Sequence, residues 1–343
     1  MNNSLVNSKF RFFLVCFVII ALSACKSDRL DVDVSEVSSN FAVDRLDEEF
    51  FQLRPDNFKQ KHDALQVKYG SFYKRYVENI LQLGLVDDPA LKYSVASFLS
   101  NDEVVKLAET VEQNFEDLDA ETAVLSEAFK YYQHHFPKSE VPQGIAFVSG
   151  FDSKVAATDK YLGIGLDLYL GQDNEYYKMM KWPEYKRAQM VRERIPYDAM
   201  RGWVLTEFDL SNNGNDLVSR MIVYGKALYA MDAVFYNHED HLKIGFTEKQ
   251  LRWCEENETE IWSKFIESEL LFSSNTNDIR RYISEGPFTP GMPKESPAQV
   301  GFWVGWKIVR AYMNNHPDTS LEQLMNTPID GQNFLAASKY KPL

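Results

Sequence analysis

One change in hydrophobic spacing limits the folds that this chain can adopt. Over most of its length, apolar residues recur three and four positions apart, as they do on one face of a helix. One such set lies in the second half of the chain: Leu217, Met221, Tyr224, Leu228 and Met231. Residues 141–170 differ, because they are rich in Val, Ile, Ala, Tyr and Gly and contain turn signals, as short strands do. We therefore expect an α+β protein, mostly α-helical, with a small central β-sheet flanked by helices.

The expected strands are short, and helices precede and follow them. The strands are predicted at residues 145–148, 154–157 and 164–170. A capping box formed by Thr247 and Gln250 predicts one long helix that continues through Phe265. An apolar stripe from Val300 to Tyr312 predicts the final helix of the chain.

The composition excludes two classes of protein. Hydrophobic residues make up 45% of the chain, which is enough for a sizeable core, so disorder is excluded as the main state. Lys and Arg number 37 against 50 Asp and Glu, a formal charge of −13. Binding to nucleic acid needs a basic surface, so we expect no nucleic-acid partner. The three cysteines cannot form a disulfide framework.

The N-terminus has the layout of a bacterial export signal. Lys9 and Arg11 supply positive charge, and residues 12–22 are an unbroken apolar run. That run is too short for a membrane-spanning helix, which needs about 20 residues. Residues 22–25 read Leu-Ser-Ala-Cys and resemble a lipobox, in which the signal is cut before the cysteine and the cysteine is acylated. We expect lipid attachment at Cys25; the alternative is an ordinary secretory signal with a chance cysteine.

The expected domain organisation follows from this reading. Residues 1–24 are the predicted lipoprotein signal peptide, and the polar residues 25–40 are a predicted tether. No linker rich in Gly, Ser or Pro and no repeat occurs after residue 40, so we expect one globular domain at 41–343. A division near Gly150 is the alternative.

The sequence contains none of the familiar catalytic or metal-binding motifs. No two histidines stand four apart with a glutamate after the first, which a zincin helix requires. His238 and His241 are three apart in a polar stretch, which we interpret as a solvated connector. Cys254 lies on the apolar stripe of its helix, as an inert buried thiol would. We expect no metal, no cofactor and no catalytic residue.

Two carboxylates fall on apolar helix faces and are candidate site residues. Asp232 lies four after Leu228 and seven after Gly225, and Glu258 lies four after Cys254. A buried carboxylate is costly unless it is paired, so a structural ion pair or a helix cap is one interpretation. A binding or acid–base role is the other. Lys226 is on a different face of its helix from Asp232, so the partner of Asp232 must come from elsewhere.

The last apolar stripe contributes three more candidates. Gly301 and Gly305 are four apart and share one helix face, where the missing side chains allow another element to approach closely. Trp306 belongs to an aromatic stripe that is expected to be core, with a ligand groove as the alternative.

Several long segments resemble the gliding-motility lipoproteins of the GldB type, found in Bacteroidetes. The similar segments occur in the same order over most of the chain, at residues 163–171, 221–229, 253–258, 286–290, 301–313 and 338–342. The second of them contains Tyr224, Gly225 and Lys226, which we include as binding or structural candidates. The lipobox is what this family would require.

The resemblance implies a fold similar to zinc-dependent peptidases. In such a scaffold, a strand at 163–171 would border a cleft, and helices near 196–209 and 216–234 would carry the metal. This chain departs from that pattern, because residues 201–208 read Arg-Gly-Trp-Val-Leu-Thr-Glu-Phe without a histidine pair. We therefore expect a catalytically inactive, zincin-like scaffold. Its groove could still hold an extended peptide by β-addition.

The resemblance also implies a cell-envelope lipoprotein that is needed for gliding. We expect anchoring through the N-terminal lipid, to the outer membrane facing the periplasm, and protein partners in the gliding machinery. The main hypothesis is a non-catalytic assembly or binding component. The alternatives are an envelope hydrolase with an unrecognised active site and a substrate-binding lipoprotein.

Overall fold

Four short strands form one open sheet in a computed structural model that describes residues 28–208 and 214–342. The strands are β1 (Val43–Arg45), β2 (Gln143–Phe147), β3 (Val155–Ala157) and β4 (Tyr161–Gly165). Their order across the sheet is β1-β2-β4-β3, in which β1, β2 and β4 are parallel and β3 is antiparallel to β4. The register pairs Val43 with Gly144, Ile145 with Gly163, and Val155 with Ile164.

Helices account for most of the described residues, so the α+β, mostly helical prediction is confirmed. They are α1 (Leu46–Phe50), α2 (Phe58–Arg75), α3 (Leu91–Leu99), α4 (Asp102–Asn114), α5 (Asp119–His135), α6 (Glu175–Met179), α7 (Glu184–Arg187), α8 (Ile195–Glu207), α9 (Leu217–Val234), α10 (Asp240–Ile244), α11 (Glu248–Glu256), α12 (Glu258–Glu267), α13 (Thr276–Ile283), α14 (Val300–Asn315), α15 (Leu321–Asn326) and α16 (Gly331–Ser338).

The inner strands are buried and allow close packing with the first long helix. In β4, a Cβ added to Gly163 would lie 2.5 Å from the ring of Phe72 on α2 and 2.9 Å from the ring of Phe147 on β2. Only a residue without a side chain fits this position, so the β–helix contact depends on glycine. Helix α8 packs near the other edge of the sheet, where a Cβ on Gly202 would lie 2.6 Å from Val155 of β3.

Helices α9 and α14 form the closest helix pair of the second half. A Cβ added to Gly305 would overlap the backbone carbonyl of Met221, and one added to Gly225 would overlap the backbone of Gly305. A Cβ on Gly301 would lie 2.8 Å from the carbonyl of Tyr282. The prediction that this glycine face admits a neighbouring element closely is therefore confirmed.

The predicted strand at 164–170 is wrong beyond Gly165, and the observed strand begins earlier, at Tyr161. Strand β4 ends at Gly165 and a 3-10 turn follows at Leu166–Leu168. The cause is Asp167, whose fully buried carboxylate accepts bonds from the backbone N–H groups of Ser149 and Phe151 and so holds the chain out of the extended conformation. The strand expected to border a cleft is also inside the sheet, since β3 lies between β4 and the open edge.

Two helix predictions and one strand need correction as well. The long helix after Thr247 divides into α11 and α12 at Asn257, whose backbone and side-chain amides both donate to the Trp253 carbonyl and cap α11. The helix at 300–315 is not the last, because α15 and α16 follow it. Strand β1 was not expected, since three residues carry no readable alternation.

By internal contacts, the chain divides into a short unit that ends at Asp33 and a unit that begins at Val34. Val34 falls within the predicted tether, yet it is buried, as is Phe41. Within the described ranges, no helix combines the length and the apolar character that crossing a bilayer would require.

Candidate functional site

Asp232 is held by donors from two other helices. Arg310 of α14 binds both carboxylate oxygens, with Nε 2.7 Å from Oδ2 and Nη2 2.6 Å from Oδ1. The indole Nε1 of Trp306 donates to Oδ2 at 2.8 Å, and Lys243 of α10 donates to Oδ1 at 3.3 Å. These contacts give the buried carboxylate cationic partners from elsewhere in the fold.

A second carboxylate completes this group of charges, which we call the balanced network: Asp232, Asp240, Lys243 and Arg310. Asp240 accepts from Lys243 at 3.0 Å and pairs with Arg310 at 2.8 Å. Burial raises the pKa of Asp240, but Arg310 and Lys243 outweigh it and the net pKa is lowered. Two carboxylates thus face two cations, and the network ties α9, α10 and α14 together.

The other candidates on these helices have separate surroundings. Lys226 is fully buried, and its ammonium donates to the carbonyl of Thr327. Burial lowers its pKa to about 8. The ring of Tyr224 stacks on Phe302 with centroids 3.8 Å apart.

Glu258, at the start of α12, lies in a third environment. It accepts a bond from the hydroxyl of Tyr340 at 2.8 Å and pairs with Lys307 at 3.1 Å. Its side chain is 22% exposed.

The structure therefore brings Asp232 and Trp306 into contact, and Gly225 onto Gly305, but it leaves Glu258 and Lys226 apart from them. Cys25 lies outside the described residues.

A second ion network lies beside the sheet and was missed by the sequence reasoning. Asp198 of α8 is buried, and its Oδ1 accepts from Arg194 at 2.9 Å and from Arg201 at 3.0 Å. Its Oδ2 accepts from Lys154 at 3.2 Å and from the Tyr169 hydroxyl at 3.3 Å. We call Lys154, Arg194, Asp198 and Arg201 the cationic network, because three cations face one carboxylate.

The charges of this network shift one another's pKa. Burial alone would raise the pKa of Asp198, but Arg194, Lys154 and Arg201 hold it well below the usual range. Burial and the two neighbouring arginines together lower the pKa of Lys154, despite the attraction of Asp198. Asp198 is therefore an anion in the folded protein.

Local structure positions each member of the cationic network. Arg194, Asp198 and Arg201 are spaced four and three apart at the start of α8, so they share one face. Gly245 ends α10 with φ of 88°, and a Cβ there would lie 2.8 Å from Arg194 Nη2. Lys154 follows a loop that Asp167 holds, through bonds from Ser149 and Phe151. The helical spacing of Arg194, Asp198 and Arg201 could have predicted that they lie together, whereas no sequence pattern indicated that Lys154 joins them.

A cavity of about 640 Å³ lies next to this network, and its lining includes Tyr169, whose hydroxyl donates to Asp198. It is lined by Asn114, Phe115, residues 169–174 and residues 191–193. Arg192 in its wall is held by Glu121, with Nε 2.6 Å from Oε1, and by the carbonyl of Asp117. Across residues 28–208 and 214–342, no three His, Cys, Asp or Glu side chains cluster closely enough to hold a metal ion.

Comparison with known proteins gives one match. A family model described as gliding motility protein GldB matches residues 27–342, nearly the whole chain. The chain belongs to this family. No curated protein and no solved structure matches it.

Membership of the GldB family confirms the resemblance seen in the sequence and gives the chain a role in gliding motility. It also associates the chain with the motility machinery and, as a lipoprotein family, with the cell envelope. The match extends over both ion networks and the whole sheet. The similarity to zinc-dependent peptidases stays a prediction.

Proposed function

We propose that this chain is a lipid-anchored, non-catalytic binding component of the gliding machinery, attached through Cys25 to the outer membrane and facing the periplasm. The anchor is supported by the order of the N-terminal residues: positive charge, a short apolar run and the box that ends at Cys25. Several acyl chains on one cysteine hold a protein stably at a membrane, since each buried methylene contributes about 0.8 kcal/mol.

The non-catalytic part of the proposal is carried by one observation on the buried carboxylates. Within the described part of the chain, each buried Asp or Glu accepts bonds from other groups of this chain: Asp47, Glu121, Asp167, Asp198 and Asp232. A general base must lie within hydrogen-bond reach of the proton that it takes from the substrate. These carboxylates are engaged in holding the fold, which favours binding over catalysis.

The anchor is tested by Cys25→Ser in gliding cells. We expect the variant to lose labelling by radioactive fatty acid, to leave the envelope fraction and to abolish spreading, with Cys254→Ser as the matched control. Normal labelling of Cys25→Ser would contradict the lipoprotein proposal. Elemental analysis that found about one zinc per purified chain would contradict the non-catalytic proposal and favour the hydrolase.

A further inference from the structure

The cationic network has more charge and more donors than it can satisfy internally. Each of its three cations donates one bond to Asp198 and one to a backbone carbonyl: Arg194 to Leu242, Arg201 to Ile244, and Lys154 to Gln189. An arginine offers five N–H donors and a lysine three, so most of these donors have no acceptor among the described residues. In particular, Nε of Arg194 is buried without a hydrogen-bond partner.

The surroundings offset only part of this excess. The carbonyls of Leu242 and Ile244, at the end of α10, are dipoles and not full charges. Glu285 acts on Arg201 from a distance, but its side chain is 68% exposed and it pairs with Lys186. The balanced network differs, because its two cations face two carboxylates.

Two of the three cationic side chains are partly exposed to solvent. The side chains of Lys154 and Arg201 are 29% and 31% exposed, whereas that of Arg194 is only 7% exposed. An anion at the surface would therefore lie next to Lys154 and Arg201, with Arg194 behind them. Two guanidinium groups and an ammonium suit a carboxylate, which they bind through charge-assisted hydrogen bonds.

The cationic network lies at the N-terminal end of β3, the strand at the open edge of the sheet. Lys154 directly precedes β3, which pairs only with β4 in the described sheet. The Gly165 N–H donates to the Lys154 carbonyl and the Thr158 N–H to the Tyr161 carbonyl, both at 2.9 Å. Because hydrogen-bonded positions alternate in an antiparallel pair, Ala156 faces β4.

By the same alternation, the backbone groups of Val155 and Ala157 face the open edge. Among the described contacts, the only bond to these groups is a long one, 3.4 Å, from the Ser153 hydroxyl to the Val155 carbonyl. The edge can therefore accept another strand.

We propose that this edge binds the C-terminal segment of a protein partner, which adds antiparallel to β3 and places its free α-carboxylate on Lys154 and Arg201. Antiparallel addition brings the end of the added strand to the beginning of β3, where the cations are. Parallel addition would instead bring the carboxylate end of the added strand to the end of β3, near the exposed Lys160. The inference rests on the proposed binding function and specifies the class of partner.

The test selects ligands for the purified full-length lipoprotein in detergent from a displayed library of ten-residue peptides with free C-termini. We expect extended peptides that bind in a 1:1 ratio and lose affinity by about tenfold or more when the carboxylate is amidated. Arg201→Gln and Lys154→Gln should each cause a similar loss, whereas Lys160→Gln, the matched control, should not. Ala157→Pro should abolish binding, because it removes an N–H of the open edge while the ladder to β4 stays intact.

Several results would overturn the proposal. They are a selection that yields no binding peptide, amidated peptides that bind as tightly as those with a free carboxylate, or a larger loss of affinity in Lys160→Gln than in Arg201→Gln. Displacement of the peptide by inorganic phosphate at equal concentration would show a bare anion site and exclude the role of β3. A melting curve is measured for each variant, so that a loss of peptide affinity is interpreted only when the variant is folded. None of these results depends on fatty-acid labelling or on zinc content. The proposed function is tested by those two measurements, so it can hold or fail independently of peptide binding.

Discussion

The two ion networks of this protein bury similar groups but differ in charge balance. In the balanced network, Asp232 and Asp240 face Lys243 and Arg310, and each charge has a partner of opposite sign. In the cationic network, Asp198 alone faces three cations. A buried charge without compensation is costly. The difference indicates that the first network holds helices together, while the second retains charge for a ligand.

We expect the strongest destabilisation from a substitution in the balanced network. Asp232→Asn preserves the shape of the side chain but leaves Arg310 and Lys243 with less negative charge than they need. We expect a loss of roughly 3–5 kcal/mol in the free energy of unfolding, measured by urea denaturation. A urea denaturation curve close to that of the unmodified protein, together with cells that no longer spread, would favour a binding role for Asp232 instead.

Removing one cation from each network should affect the stability of the protein differently. Arg310→Gln leaves two carboxylates with one cation, and we expect about 2–4 kcal/mol of destabilisation. Arg201→Gln removes the bonds to Asp198 and to the Ile244 carbonyl but also relieves repulsion with Arg194 and Lys154, so we expect a smaller loss of about 1 kcal/mol. The two denaturation curves should separate clearly. Equal losses would remove the distinction between the networks.

The pH dependence of stability reports on Lys226, a buried charge outside the two networks. Its pKa is lowered by burial to about 8, so between pH 8 and about 10.5 the unfolded state binds more protons than the folded state. Stability therefore rises with pH in this window. Relative to Lys226→Met, the unmodified protein should gain about 2 kcal/mol between pH 7 and 9.5. Parallel pH profiles for the two proteins would show that Lys226 is not desolvated in this way.

The sequence predicted the fold class and the strand region because those signals are local. Glycines and β-branched residues at 141–170 indicated strands, and the observed β2, β3 and β4 begin or end within a few residues of the predictions. The break at Asn257 was missed because a capping side chain, and not the apolar pattern, ends α11. Strand β1 is too short to carry a pattern.

The sites were harder to predict, because their partners are distant in the chain. Asp232 stood out on an apolar face, but Arg310 is 78 positions away and its pairing follows from how α9 and α14 pack. Arg194, Asp198 and Arg201 had readable helical spacing, yet their meaning depends on Lys154, which is 44 positions from Asp198. Charge balance of a buried group is a tertiary property and cannot be read from one element.

The role of the cationic network in motility is tested by comparing Arg201→Gln and Lys160→Gln in gliding cells, with the amount of each protein in the envelope measured alongside. We expect both variants to reach normal envelope levels, but we expect Arg201→Gln cells to fail to spread while Lys160→Gln cells spread normally. Normal spreading of cells with Arg201→Gln at normal levels would contradict the claim that the cationic network binds a partner needed for motility.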